Sequence, residues 1–183
     1  LIFVGTLLLL LPFTNTNGSI TPFMDALFTA TSAVTVTGLI VVDTPTYWSF
    51  SGQLIIMLLI FTGGLGIMTS ATFLLILIGQ RITLANRLLM RESLGVNQLE
   101  GLIRLTLRIV FAVVVIQIIG FLVLFVRLFS EYPPVMALWQ AGFHAVSGFN
   151  NAGFVIFPDS QSLSAFQKDY GLLIPMTVLI ILG

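Results

Sequence analysis

Cysteine is absent from this 183-residue chain, so neither a disulfide framework nor a thiolate metal centre is open to it. Charge is scarce. Asp, Glu, Lys and Arg make up 8% of the residues, seven of each sign, and the formal net charge is zero; a nucleic-acid partner would need a basic surface that is missing. The single histidine, His144, stands beside no readable nucleophile motif. With no zinc-type ligand cluster and no phosphate loop either, the sequence predicts no enzyme and no organic cofactor. What the chain has instead is apolar mass: 57% of its residues, with a mean hydropathy of +1.11. That exceeds what a soluble domain of this size needs for its core, and the expectation is an all-α, multi-pass membrane protein in contact with lipid.

Leu1 to Leu11 is apolar apart from Gly5 and Thr6 but shorter than the roughly 20 residues a spanning helix needs, and Pro12, Asn15, Asn17 and Gly18 end it. It lacks the basic start and cleavage site of a signal peptide and reads as the tail of a helix. Thr21-Pro22 signals a new start, with Thr as N-cap, Pro at the first position and Asp25 near the positive end of the helix dipole. The predicted half-helix, 22–33, would reach only about halfway across a hydrocarbon core at about 1.5 Å per residue, as a re-entrant pore helix does. The chain then turns back at Asp43-Thr44-Pro45, with Tyr47 and Trp48 expected in an interfacial aromatic belt. Gly52 to Ile78 carries no charge and is predicted to span, although Gly63, Gly64 and Gly66 interrupt it.

Five of the seven basic residues, Arg81, Arg87, Arg91, Arg104 and Arg108, fall between Gly79 and Arg108, which makes 79–108 cytoplasmic by the positive-inside rule. Within it, 79–103 is read as a linker with a short amphipathic helix around Leu84, Leu88 and Leu89. Ile109 to Val126 is the next span, ending at Arg127 near the opposite surface. Pro133-Pro134 then precedes a second predicted half-helix, 135–148, followed by an outer loop from Phe154 to Asp169 and the start of a fourth span at Tyr170 to Gly183.

The two half-helices carry the same text. Phe28 to Leu39 and Phe143 to Phe154 align without a gap at an offset of 115 residues, pairing Phe28 with Phe143, Ala30 with Ala145, Ser32 with Ser147 and Gly38 with Gly153. Duplication is the simplest account. Residues 1–78 and 104–183 are therefore expected to be two helix–pore-helix–filter-loop–helix units. Both loops (34–39 and 149–154) face outward, so the copies are parallel and pseudo-symmetric about an axis along the membrane normal. A dehydrated cation in a bilayer needs oxygen ligands in place of water, and backbone carbonyls serve only where their own hydrogen bonds are unused. The candidate ligands are carbonyls of Thr35, Val36, Thr37 and Gly38 with those of Asn150, Asn151, Ala152 and Gly153, an alkali cation being the only metal expected. The glycines permit dihedrals closed to other residues, each half-helix aims its negative end at the site, and the Asn amides are expected to brace the loop from behind. Taken singly, such Thr-Gly turns could merely join helices; the duplication favours a filter.

Blander roles suffice elsewhere. Gly63, Gly64 and Gly66 follow no strand, so they form no dinucleotide fingerprint, and helix packing or a hinge is their expected role. His144, opposite Thr29, is expected to be structural and hydrogen-bonded rather than a pH sensor. Arg127 and Glu131 read as an interfacial surface pair, Asp25 as a helix-start charge, and the cytoplasmic arginines as orientation signals.

These residues carry a family resemblance over the whole chain. The Thr35-Val36-Thr37-Gly38-Leu39 ending, the Gly63-Gly64-Leu65-Gly66 run and Phe149-Asn150-Asn151-Ala152-Gly153-Phe154 resemble the Trk/Ktr/HKT potassium transporters, most closely the Ktr-type membrane subunit. The resemblance implies four repeats around one pore, each giving a filter glycine, here Gly38 and Gly153; the other two repeats and the family's gating loop have no counterpart in this sequence. It also implies potassium uptake across the plasma membrane, Na+ as a candidate coupling ion, a homodimer of pores and a cytosolic nucleotide-binding regulatory ring. Glycine at the first filter position resembles potassium-selective members, whereas many sodium-transporting plant relatives have serine. The alternatives are a sodium-selective relative and a structural or assembly subunit whose re-entrant loops pack against a partner.

Overall fold

The structure, a computed structural model, describes residues 1–66, 99–158 and 162–183. Among these the regular elements are all helical: α1 (Ile2–Leu9), α2 (Phe23–Val34), α3 (Thr44–Tyr47), α4 (Phe50–Gly64), α5 (Leu99–Leu128), α6 (Pro134–Phe149) and α7 (Tyr170–Leu182), with 3-10 turns at Pro12–Thr14 and Leu163–Phe166. The sole β feature among them is an isolated antiparallel bridge between Asn15 and Trp48. By its contacts the chain forms two units, Leu1–Gly64 with Ile116–Gly183, and Leu65–Val115. Both candidate loops belong to the first. The expected amphipathic helix around Leu84, Leu88 and Leu89 and the far end of the Gly52–Ile78 span lie outside the described residues.

Small side chains set how closely the first helices approach. Ala26, Ala30 and Ala33 form one buried face of α2, at the four- and three-residue spacing that keeps a helix stripe on one side. α2 packs on both α1 and α4 along it. Gly5 of α1 abuts Leu59 of α4 and Ala30 of α2, where an added Cβ would lie 2.7 Å and 3.3 Å from their side chains. In a membrane, where apolar burial gives helices no drive to associate, such small-residue contacts are what let backbones pack. Leu9, Ile56, Leu59 and Ile60 complete this core, and Phe143, Ala152, Phe154 and Ile156 join it from the second half of the chain.

Polar contacts link the halves as well. Trp139 of α6 donates its indole N–H to Gln53 Oε1 of α4 at 2.8 Å and lies 4.3 Å, centroid to centroid, from Phe50, while Gln53 donates its amide to the Trp48 carbonyl at 3.0 Å. Trp48 is only 1% exposed, beneath α4 and beside Tyr47. Its expected place in an interfacial belt is thus corrected: the bridge to Asn15 and the close approach of Gly52 draw the indole inward.

Arg127, near the end of α5, ion-pairs with Glu131 at 3.2 Å and with Asp169 at 2.6 Å, and its Nε donates to Asp169 Oδ1 at 3.1 Å. Asp169 also caps α7 by accepting the Leu172 N–H at 3.2 Å, so one carboxylate fastens two helices. Thr106–Leu128 of α5 is the described stretch long and apolar enough to cross a membrane; α2, α4 and α7 are apolar and shorter. α5 begins at Leu99, upstream of the apolar run starting at Ile109, and carries Arg104 and Arg108 on its first turns.

Candidate ion-coordinating loops

α2 and α6 start where proline dictates and stop in the same way. Pro22 precedes the first residue of α2, and Pro134 is the first residue of α6, positions where a missing N–H breaks no helical bond. At the other end, Thr35 and Asn150 are the C-caps. The next residue of each copy is left-handed, Val36 at φ 54° and Asn151 at φ 56°. The N–H groups then fold back on the last turn: Val36 donates to Ala33 at 3.4 Å and Thr37 to Ser32 at 3.0 Å, and 115 residues on Asn151 donates to Gly148 at 3.1 Å and Ala152 to Ser147 at 2.8 Å. This is a Schellman ending, made twice. It is ordinarily built around glycine, and a β-branched residue at positive φ is an outlier.

The consequence concerns the oxygens. In a trans peptide the N–H and C=O of one unit point in opposite directions. Because the N–H groups of Thr35, Val36 and Thr37 aim back at α2, the carbonyls of Val34, Thr35 and Val36 aim away from it; the same holds for Phe149, Asn150 and Asn151 beyond α6. Among the described residues, the carbonyls of Thr35, Val36, Thr37, Gly38, Asn150, Asn151, Ala152 and Gly153 accept no hydrogen bond from the protein. Each group of four sits at the negative end of a half-helix.

The loops also touch. Gly38 and Gly153 are both left-handed, at φ 74° and 71°. A Cβ at Gly38 would lie 2.5 Å from the Ala152 carbonyl oxygen and 3.2 Å from the Gly153 Cα, so the two loops meet at Gly38, Ala152 and Gly153. A cavity of about 170 Å³ opens beside it, lined by Gly38, Gly153, Val155, Ser162 and the segment Asp43, Thr44 and Pro45. The polar side chains brace rather than reach outward. The Thr35 hydroxyl donates to Thr31 at 2.8 Å and lies 2.9 Å from that of Thr37; Asn150 donates its amide to Val146 at 2.8 Å and Asn151 to Ile180 at 3.3 Å.

Residues behind the second loop hold it further, and sequence reasoning found only part of them. Gln140 Nε2 donates to the Ile156 carbonyl at 2.7 Å, the Ile156 N–H donates to His144 Nε2 at 3.4 Å, and the Ser147 hydroxyl donates to the Phe154 carbonyl at 2.7 Å. Accepting at Nε2 leaves the His144 proton on Nδ1, 2.7 Å from the Gln140 carbonyl. The imidazole stacks on Phe157 at 4.0 Å. The missed signal was the spacing of Gln140, His144 and Ser147, which puts three polar groups on one face of an apolar helix. At the matching positions of α2, Asp25 makes no bond to its loop, and the buried hydroxyls of Thr29 and Ser32 have no hydrogen-bond partner among the described residues.

Of the glycine run after the first loop, Gly63 lies against the Val34 carbonyl and Gly64 against the Asn150 side chain, and Gly66 is left-handed at φ 72°.

Comparison with known proteins places this geometry in context. Residues 3–183 match the TrkH family, described as a cation transport protein. The potassium/sodium uptake protein NtpJ of Enterococcus hirae is 42% identical over 183 residues, all of this chain and 40% of that protein. The Ktr system potassium uptake protein B of Bacillus subtilis is 41% identical over 182 residues, again 40% of its length, and the protein of the same description from Vibrio alginolyticus is 43% identical over 158 residues, 86% of this chain and 34% of its own. The chain thus spans about two fifths of the length of the curated relatives it matches.

Proposed function

Since the chain belongs to the TrkH family of membrane cation transport proteins, we propose that its two loops are half of a potassium filter. In this reading backbone oxygens of Thr35 to Gly38 and Asn150 to Gly153 replace the water shell of a K+ ion entering the cell. The observation that carries the reading is the set of eight carbonyls, unused by hydrogen bonds among the described residues, at the ends of two half-helices whose loops meet at Gly38 and Gly153. Carbonyl dipoles held in place exchange hydration for coordination at little reorganisation. Entry would run down the membrane potential, worth about 2.3 kcal/mol per charge per 100 mV.

Two loops cannot enclose an ion, so the remaining repeats of the pore complete the ring. The loops face outside and 79–108 faces the cytoplasm of a plasma-membrane protein. By resemblance, a homodimer of pores and a cytosolic nucleotide-binding ring belong to the same proposal; the relatives from Bacillus subtilis are named as parts of a Ktr system. The Enterococcus hirae relative is named a potassium/sodium uptake protein, which supports a second reading in which Na+ is carried or co-transported.

The test is ion flux through the full-length protein in liposomes. Potassium uptake is expected, and Gly38→Asp, which adds a side chain where the Ala152 carbonyl already sits, is expected to abolish it. Unchanged flux in that variant would remove the loop from the ion path and leave the assembly-subunit reading. Sodium passing as readily as potassium would favour the second.

A further inference from the structure

Glycines outside the loops determine how deep the loops can sit. Gly63 of α4 meets the carbonyl of Val34, the last residue of α2: a Cβ at 63 would fall 2.8 Å from the carbonyl carbon and 3.0 Å from Cα. Gly183, the C-cap of α7, meets the carbonyl of Phe149, the last residue of α6, with a Cβ there 3.1 Å from the Phe149 Cα and nearer still to its oxygen. Val34 and Phe149 are equivalent positions of the duplication. In both copies, then, a glycine from the helix that follows the loop lies on the carbonyl one residue before the candidate ligands begin. Gly64 extends the pattern across the copies, since a Cβ there would lie 3.0 Å from Cβ of Asn150 and collide with its amide, which is itself tied to Val146.

We propose that Gly63, Gly64 and Gly183 are positioning residues that seat the two filter loops against the helices behind them and so set the carbonyl spacing on which ion discrimination depends. The proposal rests on the filter reading above. Carbon atoms pack at about 3.5–4.0 Å, so a methyl group at any of the three must displace what it meets. At Gly63 and Gly183 the obstacle is backbone, and the peptide that moves is joined directly to the ligand peptides. At Gly64 the obstacle is the Asn150 side chain, which can be removed.

That difference defines the experiment. Gly63→Ala and Gly64→Ala are made in the full-length protein, each with Asn150 intact and with Asn150→Ala; potassium and sodium fluxes into liposomes and melting temperatures are measured. With Asn150 intact, each alanine is expected to lower the potassium-to-sodium flux ratio by roughly ten- to a hundredfold, the upper figure being the scale on which a 1 Å displacement of a positioned group acts. In the Asn150→Ala background, which removes the amide but keeps the Cβ 3.0 Å away, Gly64→Ala is expected to lose most of its effect on ratio and melting temperature, whereas Gly63→Ala keeps its whole effect. Additive effects of Gly64→Ala in both backgrounds would overturn the seat at Gly64, as would wild-type ratios in Gly63→Ala for the seat at Gly63. If either alanine prevents folding, recovery of Gly64→Ala alone by Asn150→Ala is the expected pattern, and its failure counts against the proposal. A wild-type protein carrying no potassium would overturn the filter reading itself, while the melting temperatures would still report whether the glycines are seats.

Discussion

The two loops share a backbone and differ in how it is held. Both follow a half-helix through a left-handed residue, two N–H groups folded back and a left-handed glycine. Beyond the glycine they part: Leu39 is 62% exposed and Ile40 and Val41 are exposed too, while Phe154, Ile156 and Phe157 are buried. The side chains behind differ as well. Gln140, His144 and Ser147 bond to the Phe154–Ile156 segment, and their counterparts Asp25, Thr29 and Ser32 bond to nothing in theirs. The lesson is that the trace of a loop and its fastening are separate properties. The trace follows from the helix ending, which the duplication preserved; the fastening follows from three side chains, of which it preserved only the serine.

The largest expected effect comes from cutting one fastening. His144→Ala removes a ring stacked on Phe157 and leaves the Ile156 N–H without an acceptor in a buried site, and a loss of about 3–5 kcal/mol of stability is expected from cavity and unpaired donor together. Thr29→Val, at the matching position, removes a buried hydroxyl that has no hydrogen-bond partner among the described residues, so a change between zero and about 1 kcal/mol in the stabilising direction is expected. Thermal melts in detergent compare them. Equal losses at the two sites would end the distinction between a fastened and an unfastened loop.

A smaller effect separates the two glycines. At Gly38 an alanine would meet both a left-handed backbone and the Ala152 carbonyl at 2.5 Å; at Gly153 it would meet the same backbone, with Gly38 Cα nearest at 3.5 Å, an ordinary contact. Left-handed alanine costs roughly 1–2 kcal/mol. Gly38→Ala should therefore lose about 2–3 kcal/mol and most potassium flux, and Gly153→Ala about half as much stability with flux retained. If Gly153→Ala proves the worse, the loops do not meet as the structure has them.

Much of this was legible in the sequence, and what was not has physical causes. Thr21-Pro22 and Pro133-Pro134 mark helix starts because proline fixes the first turn, and the helices begin at Phe23 and Pro134. The apolar run from Ile109 marked α5 but not its beginning at Leu99, since charged first turns break hydropathy without breaking a helix. Trp48 was misread because an aromatic beside a turn in an apolar chain looks the same whether it faces lipid or a neighbouring helix. Asp169 was missed because its partner, Arg127, lies 42 residues away. Within the loops, Gly38 and Gly153 announced themselves, but the left-handed residue two places earlier did not. Valine resists that conformation; Asn151, in the second copy, accepts it and was the signal available.

That pair supplies the finest test of whether the backbones are equivalent. Val36→Asn gives the first loop the residue of the second: it relieves the strain of a β-branched left-handed residue and forfeits the packing of a half-buried apolar side chain. These oppose each other, and a net change within about 0.5 kcal/mol is expected. The reverse substitution has no such balance. Asn151→Val imposes the strain and removes the 3.3 Å amide contact to the Ile180 carbonyl, so a loss of about 1–2 kcal/mol is expected. Melting temperatures of the two single variants decide the matter. A Val36→Asn loss as large as that of Asn151→Val would mean that the first loop needs its valine for more than the turn, and that the copies differ in backbone as well as in fastening.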